Sequence, residues 1–319
     1  MLTERSWERL RQKGEPLVET SGADRQLPIG DEIFLDHIGH FVRDAERASA
    51  ALVRAGFAPT PVSVQYNPDG TPIGTANVTV MFHRGYIEVL FKTADTAATR
   101  EFDAALAERS GVHLAAFSVA DAARAHLNLI GESFEMRPLG PFRRPVDTVK
   151  GPDFAAFTVV RLERGAMAEG RIQMLQHHTE HTVWQPRWLS HPNGAMALLD
   201  MVVVASDVAE AASRFSRFAD RPSMPTRFGR VVRLDRGQVQ IVTGAAFAGW
   251  VPDLSLPALP LIGAYALQVR SLDGAEAILR DANLPARRHG RALVVPFPGE
   301  LGLGAWILVE NSADLPWRA

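Results

Sequence analysis

Apolar residues recur along the chain in one order. A short run of strand character leads to an aspartate and then to an alanine-rich stretch with helical spacing. A break at Gly or Pro follows, and then further strand runs. The first round opens with FLDHIGHFVRD, Phe34 to Asp44, and continues as AERASAALVRAGF. Asp44 stands where a helix N-cap belongs, and Ala48, Leu52, Val53 and Phe57 follow at helical spacing. VSVQY, TANVTVMF and YIEVLF then read as strands, with the turn PDGTPIG after the first. The second round is VHLAAFSVAD, capped by Asp121, then AARAHLNLIGESF, AAFTVVRL and RIQMLQHH. The stretch PLGPFRRPVD between them reads as a Pro-rich loop, in which Arg143 and Arg144 either stand solvated or clamp an anionic substrate. The third round runs from LLDMVVVASD through AEAASRFSRFA to GRVVRLD and QVQIVTG. The fourth runs from LIGAYALQVRSLD through GAEAILRDANL to RALVVPF and AWILVEN. Helix starts are therefore predicted near Asp44, Asp121, Asp207 and Asp273.

Units of strand, helix and three further strands make an α+β fold with mixed sheets. Paired two by two they give two similar domains, in keeping with 319 residues. Residues 1–32 form a polar extension with a short helix expected at SWERLRQ. Residues 33–193 form the first domain and 194–319 the second. The stretch HTVWQPRWLSHPNGA reads as the connection between them, with Trp184, Arg187 and Trp188 as interdomain packing.

Composition narrows the chemistry. Lys and Arg total 34 against 36 Asp and Glu, and the basic residues are not clustered with aromatics, so neither nucleic acid nor an anionic membrane is the expected partner. The absence of cysteine excludes disulfides, zinc-thiolate sites, iron–sulfur clusters and a thiol nucleophile. No apolar run approaches the ~18 residues of a membrane span. The N-terminus lacks the apolar core of a secretory signal, so a cytoplasmic location is expected. No phosphate-binding glycine loop or GxSxG elbow occurs. A small molecule is the expected partner; four units in one chain neither require nor forbid a homodimer.

His37 and His40 lie three apart, a spacing that invites a chelate. On a strand, alternate residues take opposite faces, so His37, Gly39 and Phe41 share one face and His40 the other. His40 is then expected to contact a packing helix or the domain edge. His177, His178 and His181 read as a polar hinge, or else His177 completes a site.

The motifs LDHIGHFVRD at 35–44, GYIEVL at 85–90 and GVHLAAFSVAD at 111–121 resemble the vicinal oxygen chelate superfamily, which includes glyoxalase-like proteins. The stretch HHTEHTVWQPRWLSHPNGA is similar to their interdomain connection. The resemblance covers roughly residues 33–311 and implies βαβββ units paired into a cupped, incompletely closed barrel. Where such proteins hold a metal, its ligands come from the first and last strand of each unit. Carried over, those positions fall on His37 and Glu88 in the first unit, and on Leu114 and Gln173 in the second. A leucine where a histidine would complete the pattern leaves the set short. His177 lies four residues beyond Gln173 on the same strand, so parity offers His37, Glu88 and His177 as a two-histidine, one-carboxylate set for Zn, Fe, Mn, Ni or Co. Glu88 is also the candidate base, and Gln173, Leu114, Asn77, Thr79 and Arg143 are the candidate substrate contacts. The third and fourth units offer Asp200 or Met201, Gln240, Ala264 and Ile307, so the second domain reads as metal-free.

The resemblance implies a divalent-metal enzyme acting on a small substrate with neighbouring oxygens, as a lyase or isomerase or as a ring-cleaving dioxygenase. The alternative is a metal-free protein that sequesters a small molecule, in which His37 and Glu88 form a buried hydrogen bond. An interaction module is the third reading, tied to the absence of an open pocket.

Overall fold

The computed structural model describes residues 25–67, 69–97 and 99–318; the helix expected at SWERLRQ lies outside them. The first βαβββ unit comprises β1 (Ile33–Phe41), α1 (Ala45–Arg54), β2 (Ser63–Tyr66), β3 (Pro72–Met81) and β4 (Tyr86–Lys92). Helix α2 (Thr99–Glu108) leads to the second unit: β5 (Gly111–Val119), α3 (Ala122–Gly131), β6 (Gly140–Thr148), β7 (Gly151–Arg161) and β8 (Arg171–His177). After the short α4 (Glu180–Val183), the third unit is β9 (Ala195–Val204), α5 (Val208–Ala219), β10 (Ser223–Thr226), β11 (Gly229–Arg233) and β12 (Gln238–Val242). Helix α6 (Gly244–Trp250) then precedes the fourth unit, β13 (Leu261–Val269), α7 (Leu272–Asp281), β14 (Arg287–His289), β15 (Ala292–Pro296) and β16 (Ala305–Val309).

The caps explain three of the four main helix starts. Asp44, Asp121 and Asp207 each accept a hydrogen bond from the backbone N–H three residues on. At the fourth, Ser271 caps α7 instead, and Asp273 sits in the first turn paired with Arg288. On α1, Ala48, Ala51 and Leu52 face inward, while Val53 lies on the solvent side. The predicted loop PLGPFRRPVD is a strand. Pro141, Arg143 and Pro145 share a parity, and their backbone faces β2, which β6 meets only where Tyr66 pairs with Arg143. Prolines missing their N–H are tolerated along such a nearly unpaired edge.

In the first domain the strands close into a barrel in the order β1-β4-β3-β2-β6-β7-β8-β5. The cup expected to be incompletely closed is thus shut at the β2–β6 seam, where Ser63 Oγ also donates to the Pro145 carbonyl at 2.7 Å. Phe102 and Leu106 of α2 pack into one end of the barrel, and Val183 and Trp184 beside α4 into the other. Trp184 therefore plugs the barrel against Tyr86 and His177 and is not interdomain packing.

The second domain is an open eight-stranded sheet, β10-β11-β12-β9-β13-β16-β15-β14. Its concave side is filled by Phe247 and Trp250 from α6 and by Leu315 and Trp317 of the C-terminal segment. Asp200, fully buried, accepts from Trp317 Nε1 at 2.8 Å and from Arg318 at 2.9 Å. Ala264 and Ile307 belong to the same apolar filling.

The two domains share a core in which Phe117 meets Phe218 and Phe57 meets Trp306. A buried ion pair, Arg214 with Glu169 at 2.5 Å, crosses between them. His40 lies in this seam. Its Nδ1–H donates to the Leu301 carbonyl at 3.0 Å, and the Tyr265 hydroxyl donates to its Nε2 at 2.9 Å, itself accepting from Trp306 Nε1. Every group in the chain is satisfied only while His40 is neutral. Burial pushes its pKa down from 6.5 to about 4, and the buried His113 behaves the same way. Between those values the unfolded chain binds protons that the folded chain refuses, so acid favours unfolding. Stability is expected to be fully present above about pH 6.5 and to fall by ~3 kcal/mol per histidine as pH drops to 4. Urea unfolding at pH 7.5, 5.5 and 4.5 checks this.

Candidate functional site in the closed barrel

Alternate residues of the barrel strands point inward and enclose a cavity of about 50 Å³. Its lining includes His37 from β1, Gln65 from β2, Tyr86 and Glu88 from β4, Leu114 from β5, and Gln173 from β8. The register explains the gathering. Gly39 pairs with Glu88 on one side and with Leu114 on the other, and Ala116 pairs with Gln173. Gly39 is required there, because a Cβ would lie 2.8 Å from Leu114 Cβ. The four positions expected from the first and last strands, His37, Glu88, Leu114 and Gln173, thus line one cavity.

Strand β1 is not regular, and its irregularity builds the site. The pairing with β5 slips between Leu35 and His37, leaving Asp36 as an extra residue. A bulge turns neighbouring side chains toward the same side, and the Asp36 carboxylate lies beside His37. His37 Nδ1–H donates to Asp36 Oδ1 at 2.7 Å, and His177 Nε2–H donates to Asp36 Oδ2 at 2.9 Å. Burial opposes ionisation of Asp36, but the charge and N–H groups of His177 and then His37 outweigh it and hold the carboxyl far below its usual range. With Nδ1 committed, His37 presents Nε2 to Glu88 Oε2 at 3.5 Å. Tyr86 stacks on the His37 ring at 4.3 Å. Burial, and then the charges of Asp36 and Glu88, keep the Tyr86 phenol well above its ordinary range.

Asn77 donates its amide N–H to Glu88 Oε1, leaving Oε2 for the cavity. Thr79 is not a cavity residue: it is buried beside Thr60, with the hydroxyls 3.0 Å apart, and faces the pocket at the β2–β6 seam. Arg143 also falls outside, exposed with its guanidinium over the Phe154 ring, because parity on β6 turns Arg144 inward instead. His177 shares the inward side of Gln173, as parity implied, but it is spent on Asp36 and does not join His37 and Glu88. Among the described residues no three His, Asp or Glu side chains gather as a metal site.

The sequence reasoning missed Asp36, Arg161 and Arg171, and it set Arg144 beside Arg143 in a loop where the structure turns Arg144 alone into the cavity from a strand. Arg144, Arg161 and Arg171 line the cavity from β6, β7 and β8, with Glu88 the one carboxylate among the lining residues. Burial, and then the charges of Arg171 and Arg137, push Arg161 down to about 10. Strand parity in PFRRPV and VVR was the available signal.

The sequence model of the glyoxalase-like domain family matches residues 35–219, more than half of the chain. The chain belongs to this family. With it comes membership of the vicinal oxygen chelate superfamily, whose paired βαβββ units the barrel and the second sheet both display. No curated protein matches the chain. Among solved structures, this glyoxalase-like chain is similar to a hypothetical protein from Staphylococcus aureus, with TM-score 0.60 and 12% identity over 86% of this chain and 98% of that one. It is also similar to a mutant of 4-hydroxymandelate synthase from Streptomyces coelicolor, with TM-score 0.51 and 14% identity over 87% and 92%. At such identities the likeness is one of fold.

The cavity residues fit a divalent ion through three donors. His37 Nε2 and Glu88 Oε2 face one another, and Gln173 Oε1 is buried with no hydrogen-bond partner. A buried carbonyl oxygen without a donor is costly unless something binds it. Leu114 supplies nothing. One nitrogen and two oxygens suit Mn, Fe, Co, Ni or Zn.

Proposed function

We propose that the barrel of the first domain is the active site of a glyoxalase-like enzyme acting on a small substrate with neighbouring oxygens, with His37, Glu88 and Gln173 holding a divalent ion. The observation that carries this reading is the placement of His37 Nε2 against Glu88 Oε2 in the barrel cavity, with Asp36 fixing the imidazole from behind. A bound ion would act as a Lewis acid, polarising the substrate oxygens. The chain's own groups do the rest. Asp36 keeps the proton of His37 on Nδ1 and leaves Nε2 free, and Asn77 occupies Oε1 of Glu88, so that Oε2 is the oxygen that would face the ion. Trp184 and Phe102 pack into the ends of the barrel and make its interior more apolar. Both proton-transfer isomerisation or lysis and ring-cleaving oxygenation fit this arrangement.

A metal-free binding protein is the second reading, favoured by Leu114 at a ligand position. Calorimetric titration of chelator-treated protein with Mn(II) and Co(II) separates the two. The enzyme reading expects one ion per chain in the wild type and none in His37→Ala or Glu88→Gln. Absence of stoichiometric binding in the wild type overturns it and leaves the metal-free reading.

A further inference from the structure

The barrel holds more positive charge than its fold requires. Arg144 on β6, Arg161 on β7 and Arg171 at the start of β8 all line the central cavity. Arg171 is explained: Glu101 of α2 pairs with it at 3.1 Å, and the Phe41 ring lies under its guanidinium. The other two are not. Among the described residues neither the Arg144 nor the Arg161 side chain has a hydrogen-bond or ion-pair partner; Arg144 is 7% exposed, and Arg161 Nε is buried and unpaired. Of their nitrogens Arg161 Nε is buried, while the others still reach solvent; a guanidinium drawn into a cavity without a protein acceptor is less well solvated than in water, and like charges lining one cavity add to the cost. Glu88, the one carboxylate of the lining, is already engaged by Asn77 and faces His37. The two arginines also border openings. Arg144 lines the pocket at the β2–β6 seam, and Arg161 the pocket beyond α2, so each stands between the cavity and solvent.

We infer that Arg144 and Arg161 form an anion-binding subsite of the barrel, and that the substrate is a compact organic anion whose carboxylate or phosphate group they hold while its reacting end meets His37 and Glu88. The inference rests on the barrel being the active site, and it names the substrate class for that site. Two guanidinium forks suit a planar or tetrahedral oxyanion, and the cavity of about 50 Å³ restricts the rest of the molecule to a few atoms. The ligand then supplies the acceptors that the protein itself does not give these two guanidiniums.

The test titrates the full chain with sodium lactate and, separately, with inorganic phosphate, at low ionic strength, once with chelator and once with Mn(II). Saturable binding of one anion per chain is expected, at least tenfold weaker in Arg144→Gln and in Arg161→Gln and unchanged in Arg143→Gln. Lactate alone binding in this way assigns a carboxylate; phosphate alone assigns a phosphate group. Binding of neither, or binding that ignores both substitutions, overturns the proposal. Thermal unfolding supplies a second readout without ligand. Arg161→Leu is expected to melt at or above the wild-type temperature, because it removes a half-buried charge with no partner in the protein; a large drop would mark Arg161 as structural and overturn its role. The metal reading fails separately: loss of Mn(II) binding with anion binding retained removes the ion and leaves the subsite.

Discussion

Replacing Asp36 by alanine is expected to destabilise the protein by about 3–5 kcal/mol, the usual result of removing one partner from a buried charged cluster. The carboxylate is fully buried and accepts from His37 and His177, so its loss leaves two imidazole N–H groups without an acceptor inside the barrel. Asp36→Asn keeps the shape and one acceptor oxygen and should recover part of the stability. The substitution also frees the His37 ring to turn. Loss of such a supporting hydrogen bond typically costs roughly 10–100-fold in metal affinity. Asp36→Asn should therefore bind Mn(II) more weakly even where it folds well. Urea unfolding measures the first effect and calorimetry the second. Unaltered stability in Asp36→Ala would mean the cluster is not formed as described.

The other large effect is a gain. Leu114 and Gln173 occupy the two positions at which the second unit departs from a four-ligand set. Leu114 lies over Gly39, the residue that also pairs with Glu88, and Gln173 lines the same cavity with its Oε1 buried and unpartnered. Leu114→His together with Gln173→Glu supplies an imidazole and a second carboxylate. Affinity for Mn(II) or Co(II) is expected to rise on the order of 100-fold or more, since ligand charge sets affinity in such sites. Gln173→Glu alone should give a smaller gain, because Arg161 and Arg171 compete for the new carboxylate. No gain in the double variant would mean that the four positions do not converge on one point.

Much of this architecture was legible because its signals are local. An aspartate cap followed by an alanine-rich amphipathic turn marks a helix wherever it falls, and Asp44, Asp121 and Asp207 did so. At Ser271 the cap changed residue type and the expected start moved by two positions. What escaped depended on partners far away in sequence. β6 hid behind Pro141 and Pro145, which are harmless only because its β2 edge is almost unpaired. Closure of the barrel, and the filling of the second sheet by Trp250 and Trp317, are tertiary facts with no periodicity of their own. In the site, the resemblance picked out His37, Glu88, Leu114 and Gln173, which line one cavity, and parity kept His40 out of it. Parity could not foresee the bulge at Asp36, which occupies His177 and removes it from any shared metal site. The Pro-rich setting read as a loop offering Arg143 and Arg144 alike, whereas the strand's alternation turns Arg144 inward and leaves Arg143 outside over Phe154.

The central claim is that His37, Glu88 and Gln173 surround an ion-binding point inside the first-domain barrel. A crystal grown with Mn(II) and measured for anomalous scattering tests it most directly. The account predicts one anomalous peak per chain about 2.0–2.2 Å from His37 Nε2 and from Glu88 Oε2, with the Gln173 carbonyl oxygen turned toward it. A barrel with no peak, in which His37 Nε2 and Glu88 close to a direct hydrogen bond, would contradict it.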